Sequence, residues 1–518
     1  MVLGLPAVLN RTKTFQGAVC VLNSLQSKPS VSEWPHGRQL QDMQGYLQRT
    51  GIAVDELDKL NIIHVTGTKG KGSTCAFTER VLRSYGFKTG FFSSPHLVHV
   101  RERIRINGRP ISQQLFTKYF WETYEQLEDT KDVHCGSMPF YFQLLSLMAF
   151  HVFLQERVDL AVFEVGIGGQ YDCTNIIRKP WVCGISSLGL DHCSLLGDTL
   201  EKIAWQKAGI FKPGVPAFTV RQKPGPMRVL QSRAEETRCP LWICPELDHY
   251  EALVGPMRLG LAGKHQRVNA SLALQLSHSW LQRRAAWERG DDLSSALPPC
   301  RPGSQADMFQ PSSAMLQGLQ ETEWLGRSQK LQCGSVTFYL DGAHTTDSIQ
   351  TCVSWFREEM LNRDQEKGSG VRILLFNTTG DRDSAALLRL LQPCHFHYAL
   401  FCPNISETPA GSSAHHSSSE CVHTARCREN QRTWQSLSTT QTLNQQHRHL
   451  VASSVSCSLV FPCIHSALQW IRQRKQLISH STEPLDRERE GGQVSVLVTG
   501  SLYLVGGVLR HLEPALDS

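Results

Sequence analysis

An apolar run, Ile62-Ile63-His64-Val65, leads almost directly into Gly67-Thr68-Lys69-Gly70-Lys71-Gly72-Ser73, and a helix-forming stretch follows. This succession constrains the fold more than any other feature of the chain. Glycines at a strand-to-helix turn let consecutive backbone N–H groups converge on phosphate oxygens. In such a loop Lys71 reaches the outer phosphates and the Ser73 hydroxyl is placed to ligate magnesium. The spacing departs from the Walker pattern, because Gly67 stands closer to Gly70 than that pattern requires and Gly72 separates lysine from hydroxyl. A flexible surface loop is the plain alternative, and the rest of the chain has to decide between them.

A chain of 518 residues is too long for one core, which implies two domains with insertions. The net charge of +6 is small for that length, and no basic block alternates with aromatics, so nucleic acid is not an expected partner. Seventeen cysteines without an apolar secretory segment read as reduced thiols of an intracellular protein. None has the paired spacing of a structural zinc site. No apolar run is long enough to span a membrane. Arg11 and Lys13, with no acid before Glu33, weakly resemble a transit peptide, but the spacing of Phe15, Val19, Leu22 and Leu25 favours an ordinary helix. The expected location is cytoplasmic, with mitochondria left open as a second destination.

From 60 to about 220 strands and helices alternate. Strands are expected at Leu60 to Val65, Lys88 to Phe92, Leu160 to Val165 and Val182 to Ser186, with helices at Ser73 to Tyr85, 113 to 127, 139 to 156 and Glu201 to Lys207. Strands this apolar need both faces covered, as in a parallel sheet flanked by helices. A second series has strands at Val336 to Leu340, Val371 to Phe376, His397 to Phe401 and Val494 to Val498. The fold class is therefore α/β. A mostly parallel, P-loop ATPase-like domain over 1–297 is joined by a linker, 298–335, to a smaller Rossmann-like α/β domain over 336–518. The serine-, histidine- and glutamine-rich stretch 404–460 reads as a partly disordered insertion, dispensable for chemistry, and His415, His416 and His423 within it read as solvated rather than as a metal tract.

Three further constellations accompany the glycine loop. In Glu164-Val165-Gly166-Ile167-Gly168-Gly169 an acid closes an apolar strand, a position that suits a hard cation beside nucleotide phosphates. Leu190-Asp191-His192 follows the next strand, at the same carboxyl edge. In Gln206-Lys207-Ala208-Gly209 a lysine ends a helix just before glycine. Taken singly, Lys207 is a helix C-terminal charge and Glu164 a structural acid. Their joint order is harder to dismiss.

These motifs, with Ser93-Ser94-Pro95-His96-Leu97, Asp172-Cys173-Thr174-Asn175, His265-Gln266, Asn269, Leu340-Asp341-Gly342-Ala343-His344 and Thr499-Gly500-Ser501-Leu502, resemble the folylpolyglutamate synthases of the Mur ligase superfamily of ATP-dependent amide-forming enzymes. The resemblance runs from about Phe15 to Leu512. It implies that Gly70, Lys71, Gly72 and Ser73 hold the phosphates of ATP, and that Ser73, Ser94, Glu164 and His192 form the magnesium site. Lys207 matches a lysine carbamylated in the superfamily. Asn269, Arg327 and Asp341 match nucleotide-facing groups, and His344 matches a residue near the transferred phosphate and the incoming amino acid. Lys71, Lys207 and His344 are thus the expected catalytic residues. Gln170 departs from the family pattern and receives no role. A monovalent cation such as K+ is also implied.

The implied reaction adds L-glutamate to the polyglutamate tail of a tetrahydrofolate, with release of ADP and phosphate by a monomeric enzyme. It answers a chemical need. A carboxylate is a poor electrophile until phosphorylation supplies a leaving group, and Lys71 with magnesium would offset charge on the transferred phosphoryl group. A cleft closed between two domains would exclude water from the acyl phosphate. Two other classes stay open. A switch or pump ATPase would also use a phosphate loop, but would release ADP without depending on glutamate. A catalytically dead binding protein would be expected to have lost Lys71 or one of the metal-site residues.

Overall fold

The computed structural model describes residues 13–26, 38–134, 136–291, 301–367, 370–380, 382–406, 418–446, 457–478 and 493–513. Arg11, His415 and His416 lie outside the described residues, as does the side chain of His423. The chain divides into two compact units. One comprises Met1–His96, Val100–Gly260 and Gln266–Glu323, and the other Leu97–His99, Leu261–His265 and Trp324–Ser518.

The first unit is built on nine strands: β1 (Ile63–Thr66), β2 (Thr89–Phe92), β3 (Ile104–Ile106), β4 (Arg109–Pro110), β5 (Leu160–Glu164), β6 (Val182–Ile185), β7 (Ala217–Thr219), β8 (Leu241–Ile243) and β9 (Ser304–Gln305). Their order in the sheet is β4-β3-β2-β5-β1-β6-β7-β8-β9. Every pairing is parallel except those of β3 with β2 and with β4. All residues of β1, β2, β5 and β6 are buried, so both faces are covered, as their largely apolar character requires. Val65 of β1 lies opposite Glu164 of β5 on one side and Gly184 of β6 on the other. The segments that follow these three parallel strands therefore emerge at one edge of the sheet. The helix Phe15–Ser24, capped by Thr14, puts Ala18 and Leu22 into the core beneath the helices Gln113–Thr130 and Tyr141–Gln155.

The β3–β4 hairpin was not expected from the sequence. It turns at Asn107 and Gly108, both at positive φ (49° and 75°), as a two-residue hairpin turn requires. The region after 221 contains the helices Pro224–Thr237 and Leu247–Val254 with β8 between them. The expected linker 298–335 is likewise redistributed. Its helix Ser313–Gln320 belongs to the first unit, where Gly318 lies flush on the backbone of Val81, while 329–333 is a strand of the second unit.

The second unit has β10 (Gln329–Cys333), β11 (Val336–Leu340), β12 (Val371–Phe376), β13 (Tyr398–Phe401), β14 (Cys457–Val460) and β15 (Val494–Thr499), ordered β10-β11-β15-β12-β13-β14. Among the described strands of this unit, β10 alone runs antiparallel to its neighbour. One face is packed by Ile464, Leu468, Leu504 and Leu509, the other by Ile349, Phe356, Leu388 and Trp434.

Trp434 belongs to the stretch expected to be a disordered insertion, and this is a correction. Residues Ser418–Gln446 are helical, and β14 extends the sheet beside β13. Cys427, Asn430 and Trp434 are buried, with Leu437 packed against the same cluster. Those positions share one helical face, but the stripe is narrow and includes an asparagine, so the serine- and glutamine-rich composition conceals the period. The part Ser418–Gln446 therefore contributes to the packing of the second unit. Trp434→Ala should destabilise the second unit by about 3–5 kcal/mol, the usual cost of deleting a buried aromatic. Chemical unfolding followed by circular dichroism checks this, and an unchanged midpoint would return the helix to the role of an appendage.

Candidate phosphate-loop site

The loop after β1 adopts backbone conformations that favour glycine. Gly67 and Gly70 have φ of 147° and 87°. A Cβ on Gly67 would run into the Ser186 side chain, and one on Gly70 into Asn269. Gly70 opens the helix Lys71–Ser84, which has no side-chain cap and no acid in its first turn, an arrangement suited to an anion. The segment after β6 braces the loop. Thr68 N and Lys69 N both donate to the Ser187 carbonyl at 3.0 Å, Ser186 Oγ donates to the Lys69 carbonyl at 2.8 Å, and Lys69 Nζ pairs with Asp191 Oδ2 at 2.8 Å.

The other expected residues of this unit gather here. Ser73 is buried and its hydroxyl accepts from Gln266 Nε2 at 3.4 Å, while Gln266 Oε1 accepts from Asn269 Nδ2 at 2.8 Å. Gly72 lies in the first turn of the phosphate-loop helix. Glu164 is buried at the end of β5 and its Oε2 accepts from the Ser94 backbone N–H at 3.0 Å. His192 is half-exposed and sits at φ 52°, a strained left-handed conformation for a non-glycine residue. Partial burial and the nearby Lys71, Lys207 and Lys69 push its pKa down, against Asp191, which pulls it up.

Lys207 is buried, and its Nζ donates to the Gly67 carbonyl at 2.7 Å. Burial, followed by the charge of Lys71, pushes its pKa well below the ordinary lysine value. The sequence shows a lysine at a helix end; that it reaches the phosphate loop is a tertiary fact. Gln170, which carried no expected role, accepts from Arg233 and from Asn175.

Asp172, within the motif Asp172-Cys173-Thr174-Asn175, organises the glycine segment after β5. Its Oδ2 accepts from Ile167 N at 3.0 Å, and its Oδ1 from Thr174 N at 3.0 Å and Thr174 Oγ1 at 2.5 Å. Burial raises its pKa against those donors. Since Thr174 Oγ1 donates its one proton to Asp172, His64 Nε2 donates to it at 2.9 Å, leaving a neutral ring on β1.

Burial holds the His64 pKa at about 3, below its ordinary 6.5. Below pH 6.5 the unfolded chain takes up a proton that the folded chain refuses. The stability tied to neutral His64 is thus complete above pH 6.5 and is lost progressively as pH falls toward about 3. Between about pH 6 and pH 4, wild-type stability should fall more steeply than that of His64→Gln, by about 1.4 kcal/mol per pH unit. Parallel urea-unfolding profiles of the two proteins would overturn this assignment.

In the second unit Asp341 follows β11. Its Oδ2 accepts from Ser328 N at 2.8 Å and Ser328 Oγ at 3.1 Å, and its Oδ1 from Ala343 N at 2.9 Å. Arg327 lies against Gly342, where an added Cβ would stand 2.7 Å from its NH1 atom. His344 Nδ1 is 2.8 Å from the Gly342 carbonyl, and its backbone N–H donates to Ser348 Oγ at 3.0 Å. His265 also belongs here: burial lowers its pKa, with Asp341 opposing and Arg327 assisting. Arg327, Asp341 and His344 thus form one polar group at the carboxyl end of β11. Among the described residues, no group of three or more histidine, cysteine, aspartate or glutamate side chains is arranged to hold a metal ion.

No family model matches the chain. It is 54% identical to the mitochondrial folylpolyglutamate synthase of Homo sapiens, over 97% of this chain and 92% of that protein. It is 38% identical to a folylpolyglutamate synthase of Saccharomyces cerevisiae, over 96% of this chain and 86% of the other. Among solved structures, the Mycobacterium tuberculosis folylpolyglutamate synthase complexed with ADP superposes with a TM-score of 0.70 at 20% identity, covering 96% of this chain and 98% of that one. That likeness bears on the fold: a large, mostly parallel sheet with a second α/β sheet, as described above. The long, high-identity matches decide the family: the chain belongs to the folylpolyglutamate synthases of the Mur ligase superfamily.

Proposed function

We infer that the chain is a ligase that uses ATP to add L-glutamate to the polyglutamate tail of tetrahydrofolates, through an acyl phosphate, giving ADP and phosphate. One observation carries this reading: a glycine loop opening an uncapped helix, with Lys71, Ser73, Glu164 and Lys207 at the same sheet edge. Gly70, Lys71, Gly72 and Ser73 take the ATP phosphates, with Asn269 beside the loop. Lys71 offsets negative charge as the γ-phosphoryl group moves to the tail carboxylate. In the second unit Arg327 and Asp341 serve the nucleotide, and His344 the incoming amino acid.

Ser73, Ser94 and Glu164 offer hard oxygen donors and His192 a nitrogen, donor types that fit magnesium. The bound cation would neutralise phosphate charge. Burial of Lys207 beside Lys71 favours its neutral amine, the form that adds carbon dioxide to become a carbamate, which supports the modified state in the active enzyme. A monovalent cation such as K+ belongs to the same reading without an assigned residue. The enzyme is proposed to act as a monomer, in the cytoplasm and, like the relatives named mitochondrial, in mitochondria. Among the described residues no helix is long and apolar enough to cross a membrane.

The test is incubation with ATP, a tetrahydrofolate and a panel of amino acids, followed by mass measurement. Stepwise gain of glutamate residues with matching ADP is expected. ADP release indifferent to glutamate would instead indicate a switch or pump ATPase.

A further inference from the structure

Lys207 is held from two sides. On one, its Nζ donates to the Gly67 carbonyl of the phosphate loop at 2.7 Å. On the other, glycines allow two backbones to meet. A Cβ on Gly169 would stand 2.9 Å from the Lys207 carbonyl oxygen and 3.1 Å from its Cα, and a Cβ on Gly209 would run into Gln170. Gln170 N donates across this seam to the Gln206 carbonyl at 2.7 Å.

Asn175 closes the seam. Its Nδ2 donates to the Gln170 carbonyl at 3.1 Å and to the Gly209 carbonyl at 3.0 Å. Both partners are acceptors, so only the amino end of the carboxamide can face them. Asn175 is buried, and among the described residues its Oδ1 has no hydrogen-bond partner, an arrangement that costs stability. Both donors of the amide are spent on joining the glycine segment to the turn that ends the Lys207 helix.

We propose that Asn175 is a positioning residue of the nucleotide site: its carboxamide ties Gln170 to Gly209 and so sets where Lys207 Nζ meets the Gly67 carbonyl. The inference rests on the ligase reading of this site. Lys207 reaches the loop from the last turn of the helix Leu200–Ala208, so the position of that turn sets the length and angle of its bond to the Gly67 carbonyl. Without that bond the phosphate loop loses a brace that orders it before the nucleotide arrives.

The test is a double-mutant cycle on the full chain, read by ADP affinity in titration calorimetry with thermal midpoints alongside. Asn175→Ala should weaken ADP binding about tenfold, and Asn175→Ser, which keeps one donor, about threefold. In a Lys207→Ala background the same changes should alter affinity by less than about twofold, because the group they position is gone. Unchanged affinity of the Asn175 variants, or equal factors in both backgrounds, would overturn the proposal. A purely structural asparagine would lower the midpoint and leave the cycle additive. If the alanine variant does not fold, the serine variant carries the cycle. Failure of the wild-type chain to bind ADP would count against the ligase reading, whereas normal wild-type binding with unaffected variants would count only against the role of Asn175.

Discussion

Replacing Lys71 by alanine should abolish glutamate addition, a loss on the order of a thousandfold or more, while the protein remains folded. Lys71 occupies the first turn of its helix, half-buried and outside the apolar cores. A cation at a helix N-terminus is unfavourable for the helix itself, so its removal should cost little stability and can even add some. Its field nevertheless depresses the basicity of both Lys207 and His192. A positive charge maintained against those costs is what a bound polyphosphate would repay. Turnover by mass measurement and thermal midpoint are read on the same preparation. Near-normal turnover would remove the phosphate role from this loop.

Glu164→Gln should lower turnover by about a hundredfold and raise the magnesium concentration needed for half-maximal rate, with a much smaller effect on thermal stability. The amide retains an oxygen to accept the Ser94 N–H, so the local hydrogen bond can survive. What disappears is a buried negative charge whose field reaches Cys75 on the phosphate-loop helix. Rates measured across a magnesium titration separate the two roles. A variant with wild-type rate and magnesium dependence would leave Glu164 as a structural acid at the end of β5.

Much of the first unit was legible because its signals are local. The largely apolar runs at β1, β5 and β6 read as buried parallel strands and are so. The helix Phe15–Ser24 followed from the spacing of its apolar residues. The helix Ser418–Gln446 was not legible, because its buried stripe of Cys427, Asn430 and Trp434 is narrow and partly polar. The β3–β4 hairpin carries an Asn-Gly turn signal, but its strands Ile104–Ile106 and Arg109–Pro110 are too short to show an alternating pattern.

Short-range sterics and chemistry are written directly into the chain: a glycine loop between strand and helix, an acid closing β5, and a lysine at a helix end. Which of these would meet depended on strand order. β5, β1 and β6 lie side by side although far apart in the chain, and that adjacency brings Lys69 to Asp191, Lys207 to Gly67 and Gln266 to Ser73. The last two pairs are separated by 140 and 193 residues. No local propensity encodes such pairings, because they follow from which strands share a ladder and which helices cover it. The glycine loop, the acid and the lysine were therefore readable along the chain, while the bracing of Lys207 by Asn175 existed only once the sheet had placed their segments against each other.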